Sequence, residues 1–239
     1  MRNDLALPPD TADSFVREVD ENLRRDQMAE RAKRYGGVVI GAVVLFLLAV
    51  AGVLYWQDRQ KKQAEAGTEQ LTGALQDIGA NKMATAPATL DTLRQSDAEG
   101  VKAVAGLTRA ALALQQGNRK LASTIYAEVS ADTSLAKPYR DLALVRGTSL
   151  EFDALKPDEV IARLQPLAVA GEPFFGSAGE MIAMALLAKG QKPAAAQLFA
   201  KIAADDGVPD SLRARAVQVA GTLGVDASAS LPTGPTAAE

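Results

Sequence analysis

The side chains of this sequence that could carry out general acid–base chemistry are carboxylates. Glu180, the pair Asp205-Asp206 and Asp210 are the acidic groupings late in the chain. Neighbouring carboxylates can divide the roles of acid and base, but Asp205-Asp206 stands before Gly207, where acidic residues commonly form turns. The chain has no histidine and no cysteine, so it lacks the usual general base, the commonest metal ligand and any thiolate. We predict that the protein is not an enzyme and has no catalytic residue, metal site, cofactor or small-molecule substrate.

Charge and composition narrow the remaining classes. The formal net charge is −3, whereas nucleic-acid binding requires a basic surface that neutralises phosphates. Hydrophobic residues make up 48% of the chain, but aromatic residues only 5%. Most of the hydrophobic residues are Ala, Leu and Val, and Ala and Leu lose little conformational freedom in a helix. The composition therefore favours an all-α fold that binds no nucleic acid.

One uncharged segment divides the chain. No charged residue occurs between Arg34 and Asp58. The 21 residues of Gly36–Trp56 would cover about 30 Å as an α-helix, which is the hydrocarbon thickness of a lipid bilayer. The aromatic residues at both ends suit the headgroup region. The run is also longer than the roughly 7–15 apolar residues of a cleaved signal sequence, so we predict a transmembrane helix over residues 35–56 that remains as a signal anchor.

The basic residues that flank this helix are more numerous before it than after it. Positively charged flanks tend to stay in the cytoplasm. We therefore predict a single-pass protein of the bacterial inner membrane, with a cytoplasmic N-terminus and a periplasmic C-terminal domain. The flanking residues are Arg17, Arg24, Arg25, Arg31, Lys33 and Arg34 before the helix, and Arg59, Lys61 and Lys62 after it.

The segments on either side of the span have distinct patterns. Residues 1–34 form a cytosolic lead with an amphipathic helix, because Phe15, Val19 and Leu23 recur every four residues. Residues 57–70 form a helical connector that is too polar to be buried. Residues 71–224 form the folded domain, and residues 225–239, rich in Ala, Ser, Pro and Thr, form a disordered tail.

A pair of glycines within the span has two interpretations. Gly37 and Gly41 form a G-x-x-x-G pattern, which lets a second membrane helix approach closely. Glycine is also common in membrane helices that do not pack in this way. Helix packing through Gly37 and Gly41 is thus one hypothesis, and an ordinary membrane helix is the other.

The folded domain contains helix pairs with a recurring spacing. Four residues recur 73 positions later, a distance that equals two tetratricopeptide periods of 34 residues plus five. In that repeat a turn separates two helices, a small residue lets them cross closely, and an aromatic residue fills the space beside the next repeat. The recurring residues are Gly117, Ala122, Tyr126 and Val129, matched by Gly190, Ala195, Phe199 and Ile202.

This spacing predicts an antiparallel helix-pair solenoid similar to tetratricopeptide repeats, the alternative being a helical bundle with chance spacing. A middle unit should have Ile161 at the position of Ala122, with five extra residues in the loop near 152–158. An earlier, degenerate unit has Ala86, Leu90 and Leu93 in its second helix. A last helix over 210–223 would cover the open end of the solenoid.

The concave surface of such a solenoid is lined by the first helix of each pair, which makes their exposed residues candidate contacts for a partner protein. The alternative is that these side chains are merely solvated. The candidates are Lys102, Thr108, Arg109, Arg140, Arg146 and Met181.

Two segments carry a resemblance to a known family. They are SFVREVDENLRRDQ at Ser14–Gln27 and ALQQGNRKLASTIYAEV at Ala113–Val129. Together with the single span and the degenerate repeats, they resemble the ancillary Sec translocon subunit family, whose domain is related to that of the cell-division coordinator. The resemblance implies a non-catalytic protein that is tethered in the lipid bilayer. Its partners would be Sec translocon subunits and a membrane-anchored periplasmic chaperone of the peptidyl-prolyl isomerase type.

Two functions follow as expectations. The first is a membrane-tethered adaptor that assists the Sec translocon and periplasmic chaperones in handling exported proteins. The second is an envelope or cell-division scaffold that acts through self-association, for which Tyr126, Phe174, Phe175 and Phe199 are the large apolar residues able to anchor an interface.

Overall fold

The computed structural model describes residues 10–82 and 84–231, and within them the side chains of residues 37–38, 40–82 and 84–231. This part of the chain has no strand, so the prediction of an all-α fold is confirmed. Two 3₁₀ helices, Gln165–Leu167 and Ser228–Ser230, accompany the α-helices. The α-helices of the described residues are α1 Asp10–Gly79, α2 Ala86–Leu93, α3 Glu99–Gln115, α4 Arg119–Ala131, α5 Lys137–Glu151, α6 Pro157–Leu164, α7 Phe175–Ala188, α8 Lys192–Ala204 and α9 Asp210–Thr222.

The chain forms two compact units, Met1–Lys61 and Lys62–Glu239. The first contains the apolar part of α1, which among the described residues is the one helix long and apolar enough to cross a membrane. The candidate segment begins at Ile40, its most apolar stretch has a mean hydropathy of 2.1, and no part of that stretch is buried in protein. Gly37 and Gly41 are exposed on this helix, and a Cβ added to either would meet no atom within 4 Å. The apolar face predicted for the lead falls on side chains outside the described ones.

The second unit is a row of helix pairs. Starting at Lys62, α1 packs against α2, and the row continues with the pairs α3–α4, α5–α6 and α7–α8, after which α9 packs on α8. We call α1, α3, α5, α7 and α9 the first helices, and α2, α4, α6 and α8 the second helices. Four apolar clusters follow one another along the row, each shared between neighbouring helices. Stability therefore comes from contacts between neighbours, as in other repeat proteins.

The turns after α3 and α7 have the same hydrogen bonds. Gly117 has φ of +78° and Gly190 has φ of +76°, a left-handed conformation that glycine adopts without steric cost. The Gly117 N–H donates to the carbonyl of Leu114 and the next N–H donates to that of Ala113. The same two bonds follow α7, from Gly190 to Leu187 and from Gln191 to Leu186. Both turns are Schellman motifs, which satisfy the last carbonyls of a helix.

Two further turns have this geometry and extend the repeat. Asn81 has φ of 58° and donates to Ile78, while the next N–H donates to Asp77. Asparagine is the common substitute for glycine at this position. Gly224, 34 residues after Gly190, has φ of +89° and donates to Gly221. Counted from Asn81, the buried residues Ala86, Leu90 and Leu93 occupy the positions that Ala122, Tyr126 and Val129 occupy after Gly117.

The middle pair has a different register from the predicted one. The second helix of each other pair buries residues at i, i+4 and i+7, and in the α6 segment those residues are Val160, Leu164 and Leu167. Ile161, which the spacing placed at the position of Ala122, is half-buried. The prediction for Ile161 is therefore off by one residue. Four of the five extra residues precede Val160, and the fifth lies between Val160 and Ala195.

The two ends of the solenoid are closed in different ways. On α1, Glu65, Glu69 and Gln76 are exposed; on α3, the residues 36 positions later are Val101, Ala105 and Leu112, which are buried against α2. The first helix of the row is thus polar where later helices are apolar, because no earlier pair covers it.

At the opposite end, α9 is a first helix without a second helix in the described residues. The chain after it covers part of its surface, with Ala227 buried and Val225 packed against the cluster around α8 and α9. The Arg213 guanidinium donates to the carbonyls of Ala203 and Ser230. Residues 225–231, which the sequence placed in a disordered tail, are thus ordered, because they replace the missing helix; residues 232–239 lie outside the described ones.

The two helices of a pair cross at glycines that sequence reasoning did not single out. A Cβ on Gly106 would lie 2.7 Å from Cγ2 of Val129, and one on Gly179 would lie 3.0 Å from Cδ1 of Ile202. Both glycines and both partners are 73 residues apart, the spacing already visible between Gly117 and Gly190. This shared spacing is the signal that could have identified them from the sequence.

Replacing Gly106 by alanine tests this crossing. The added methyl group would overlap the stiff side chain of Val129, and overpacking of this kind costs about 1–3 kcal/mol of unfolding free energy. The better helix propensity of alanine returns at most about 1 kcal/mol, so we expect net destabilisation in urea unfolding of the full-length protein followed by circular dichroism. Gly100→Ala in the same helix is the control: its Cβ would meet no atom within 4 Å, and we expect about 0.5–1 kcal/mol of stabilisation. Equal stabilisation by both substitutions would contradict the close crossing.

Candidate protein-binding surface

The first helices line one side of the second unit. Helix α5 contacts both α3 and α7, and α7 contacts α9, whereas no comparable contact joins successive second helices in the described residues. Helices that lie closer together on one side make a solenoid curve toward that side. The first helices therefore form the inner, concave surface.

Exposed apolar side chains concentrate on this inner surface. Beyond the span, the large apolar side chains that are exposed in the described residues include Leu75 at 43%, Leu114 at 38% and Met184 at 46%, all on first helices. Leu75 and Met184 each lie six residues before the left-handed residue of their turn, and Leu114 lies three before its own. Positions three residues apart share one face of a helix. We call Leu75, Leu114 and Met184 the inner stripe.

The basic residues predicted as partner contacts have different surroundings. Lys102 forms an ion pair with Asp132 at 2.6 Å and donates to the Ser134 hydroxyl. Arg109 is only 8% exposed, and its Nε donates to Asp91 at 3.1 Å. The structure thus uses Lys102 and Arg109 to join neighbouring helices and does not leave them free for a partner.

The other predicted contacts are more accessible. Arg146 is exposed, while Arg140, Thr108 and Met181 are half-buried. Met181 packs against the cluster of α5, α6 and α7. The Arg146 guanidinium lies close enough to Tyr126 to lower its pKa, although burial is the stronger influence and raises the pKa of Tyr126 overall.

The residues of the repeat signature lie where the solenoid needs them. Gly117 and Gly190 form the turns described above. The two alanines are fully buried at the helix crossings, and the remaining four residues are at most 6% exposed. These buried residues are Ala122, Tyr126, Val129, Ala195, Phe199 and Ile202. They position the first helices and are not themselves available to a ligand.

The acidic residues considered for catalysis have structural partners. Glu180 accepts two hydrogen bonds from Arg215, both of 2.7 Å. Asp205 accepts from the backbone N–H groups of Gly171 and Gly207, and Asp206 pairs with Arg213 at 2.9 Å. No group of three or more acidic side chains that could hold a metal ion occurs in the part of the chain that the structure describes.

Two clefts flank α4, and their charges are internally paired. One of about 200 Å³ is lined by Arg94, Lys102, Glu128 and Asp132 among others, which pair as Arg94–Glu128 and Lys102–Asp132. The other, of about 260 Å³, includes Glu151. Hydrogen bonds from Ser123 and then Arg163 lower the pKa of Glu151 and keep it a carboxylate. Neither cleft offers an unpaired charge comparable to the exposed Arg146.

The pair between Lys102 and Asp132 predicts a specific acid sensitivity. Hydrogen bonds from Lys102 first and Ser134 second lower the pKa of Asp132 from 3.8 to about 2. A carboxyl group whose pKa is lowered by folding stabilises the protein above its unfolded pKa, and this contribution disappears as the pH falls through the folded value. In urea unfolding, Asp132→Asn should therefore be less stable than the wild type at pH 7. The difference should vanish between pH 3.8 and about 2.

The control for this experiment is Asp153→Asn. Asp153 is exposed after α5 and forms no ion pair among the described residues. Its substitution should leave the pH dependence of stability as in the wild type. A constant difference between Asp132→Asn and wild type down to pH 2 would show that the ion pair is not the cause.

Comparison with known proteins agrees with this architecture. Residues 32–219 match the description of the tetratricopeptide repeat-like domain, which covers more than three quarters of the 239 residues. No curated protein and no solved structure matches the chain. The matched region contains the crossings at Gly106 and Gly179, the turns at Asn81, Gly117 and Gly190, and the inner stripe. The chain belongs to the tetratricopeptide repeat-like domain family.

Proposed function

We propose that the protein is a non-catalytic adaptor, tethered to a membrane by α1, that binds other proteins through the inner surface of its helical repeats. The observation that carries this proposal is the inner stripe. Leu75, Leu114 and Met184 are exposed to solvent although the same helices bury their other apolar side chains. Exposed apolar side chains that share one surface are characteristic of protein-binding sites. The family supports protein binding in general, since tetratricopeptide-like repeats are commonly scaffolds.

The membrane and the compartment belong to the proposal as well. The apolar part of α1 supports insertion in a lipid bilayer, and the excess of basic residues before it favours a cytoplasmic N-terminus. The second unit then lies in the periplasm, at the bacterial inner membrane. The resemblance of the lead and of the repeat around Tyr126 to the ancillary Sec translocon subunit family supports two partners: the translocon and a membrane-anchored periplasmic chaperone.

The ends of the solenoid favour binding of a different protein over self-association. Stacking of copies end to end would need an apolar face at each end. The end at α1 is polar at Glu65, Glu69 and Gln76, and the chain after α9 covers part of the other end. Tyr126, Phe175 and Phe199 are buried, and Phe174 is half-buried. These residues are occupied in the fold, which leaves the inner stripe as the better binding surface than an interface between copies.

Substitution of the inner stripe by charged residues tests the adaptor function. We expect Leu114→Glu and Met184→Glu to reduce recovery of translocon and chaperone subunits several-fold in affinity purification from detergent. Because both side chains are already exposed, their thermal unfolding should change little. Val169→Glu is the matched control, since Val169 is 52% exposed but lies outside the first helices. Equal recovery with all three variants would contradict binding through the inner stripe.

Topology is tested independently with protease. In intact spheroplasts, the second unit should be digested by added protease while the lead before the span is protected. Protection of the second unit until the membrane is broken would contradict the proposed orientation, and with it the proposed periplasmic partner.

A further inference from the structure

The inner surface also carries one cation whose charge is not used inside the protein. Arg146 lies on α5, which contacts α3 on one side and α7 on the other. Ala143 and Leu150 of α5 pack toward α3 and α4, whereas Val145 packs toward α6 and α7. The remaining exposed positions of this helix, Arg146 and Ser149, are three residues apart and share one face. That face is the inner one.

Arg146 lies at about the same level as the inner stripe. It precedes the last residue of α5 by five positions, and Met184 precedes the last residue of α7 by four. Leu114 lies near the end of α3, on the other side of α5. Arg146 is therefore bracketed by exposed apolar side chains on the two helices next to its own.

The other cations near these residues are engaged. Lys102, Arg109 and Arg215 have the partners described above, Lys137 pairs with Asp141 at 2.6 Å, and Lys189 contacts Asp158. Arg140 also lacks an ion pair among the described residues, but it is half-buried, and its Nε is enclosed without a hydrogen-bond partner. Arg146 is thus the exposed guanidinium of the first helices that has no carboxylate partner in the described part of the chain.

The surroundings of Arg146 define the chemistry of what it binds. A guanidinium offers a planar fork of N–H donors that suits a carboxylate. A single such group matches one acidic side chain, while the neighbouring inner stripe matches apolar side chains. We infer that the partner segment is apolar, carries one carboxylate that meets Arg146, and covers Leu114 and Met184 with its apolar residues. This inference rests on the proposed function and specifies the partner that the same surface selects.

A labelled peptide tests the inference with the full-length protein in lipid nanodiscs. The probe is a short peptide of Leu, Ala and Ser with one central glutamate, and a second peptide has glutamine at that position. Fluorescence anisotropy, corrected against empty nanodiscs, gives both dissociation constants. We expect the glutamate peptide to bind about three- to tenfold more tightly, the range for a partly exposed charge-assisted contact. Arg146→Gln should remove this preference, and Arg146→Glu should reverse it in favour of a lysine peptide.

The matched control is Lys201→Glu, which makes the same change of charge on an exposed residue of the second helix α8. It should leave the preference for the glutamate peptide intact. If both peptides bind the wild type equally, and Met184→Glu weakens both, the charge inference is overturned while the adaptor surface stands. If neither peptide binds, the inference is also overturned, and the affinity purification decides the proposed function separately. Circular dichroism of each variant excludes loss of folding as the cause.

Discussion

The close crossing of two helices within a pair is the constraint on which this fold depends. At Gly106 and Gly179 the helix presents no side chain to its partner, so that Val129 and Ile202 rest on backbone. Ala122 and Ala195, fully buried in the second helices, keep the opposite side of each crossing equally thin. A larger residue at these points would push the helices apart, and every later pair would shift with them, because each repeat is positioned only by its neighbour.

Charges in this protein mainly join one repeat to the next. Arg94 contacts Glu128, which is 34 residues away, and Glu180 binds Arg215, which is 35 residues away. The Asp205 carboxylate accepts from the backbone of Gly171, 34 residues earlier. Exposed ion pairs contribute little to stability, so their consequence is more local. They occupy most of the cations of the first helices and leave an inner surface that is largely uncharged.

The repeat is also finite, and its two ends show why. An ideal solenoid could add pairs indefinitely, because each new pair would cover the apolar side of the last. Here the α1 end substitutes Glu65, Glu69 and Gln76 for residues that are apolar one repeat later, and the α9 end is covered by the chain that follows it. With both ends closed, the exposed apolar side chains of the second unit lie mainly on the concave side. The architecture and the proposed binding mode are therefore connected.

The sequence by itself determined the class of the fold and much of its register. The uncharged run after Arg34, the turn residues Gly117 and Gly190 and the spacing of 73 residues suffice for one apolar helix and paired helices, because these features act locally along the chain. They also predicted that Ala122 and Phe199 belong to helix crossings.

Only the tertiary structure decided which residues of the first helices are free. Lys102 and Arg109 looked like surface cations, yet Asp132 and Asp91 engage them from the neighbouring helices. A sequence gives no distance between side chains on different helices, so it could not separate these two from Arg146. The one-residue shift from Ile161 to Val160, and the ordering of residues 225–231 against α9, have the same origin. Both are set by which surface a neighbouring helix leaves to be covered, and that surface exists only when the repeats are stacked.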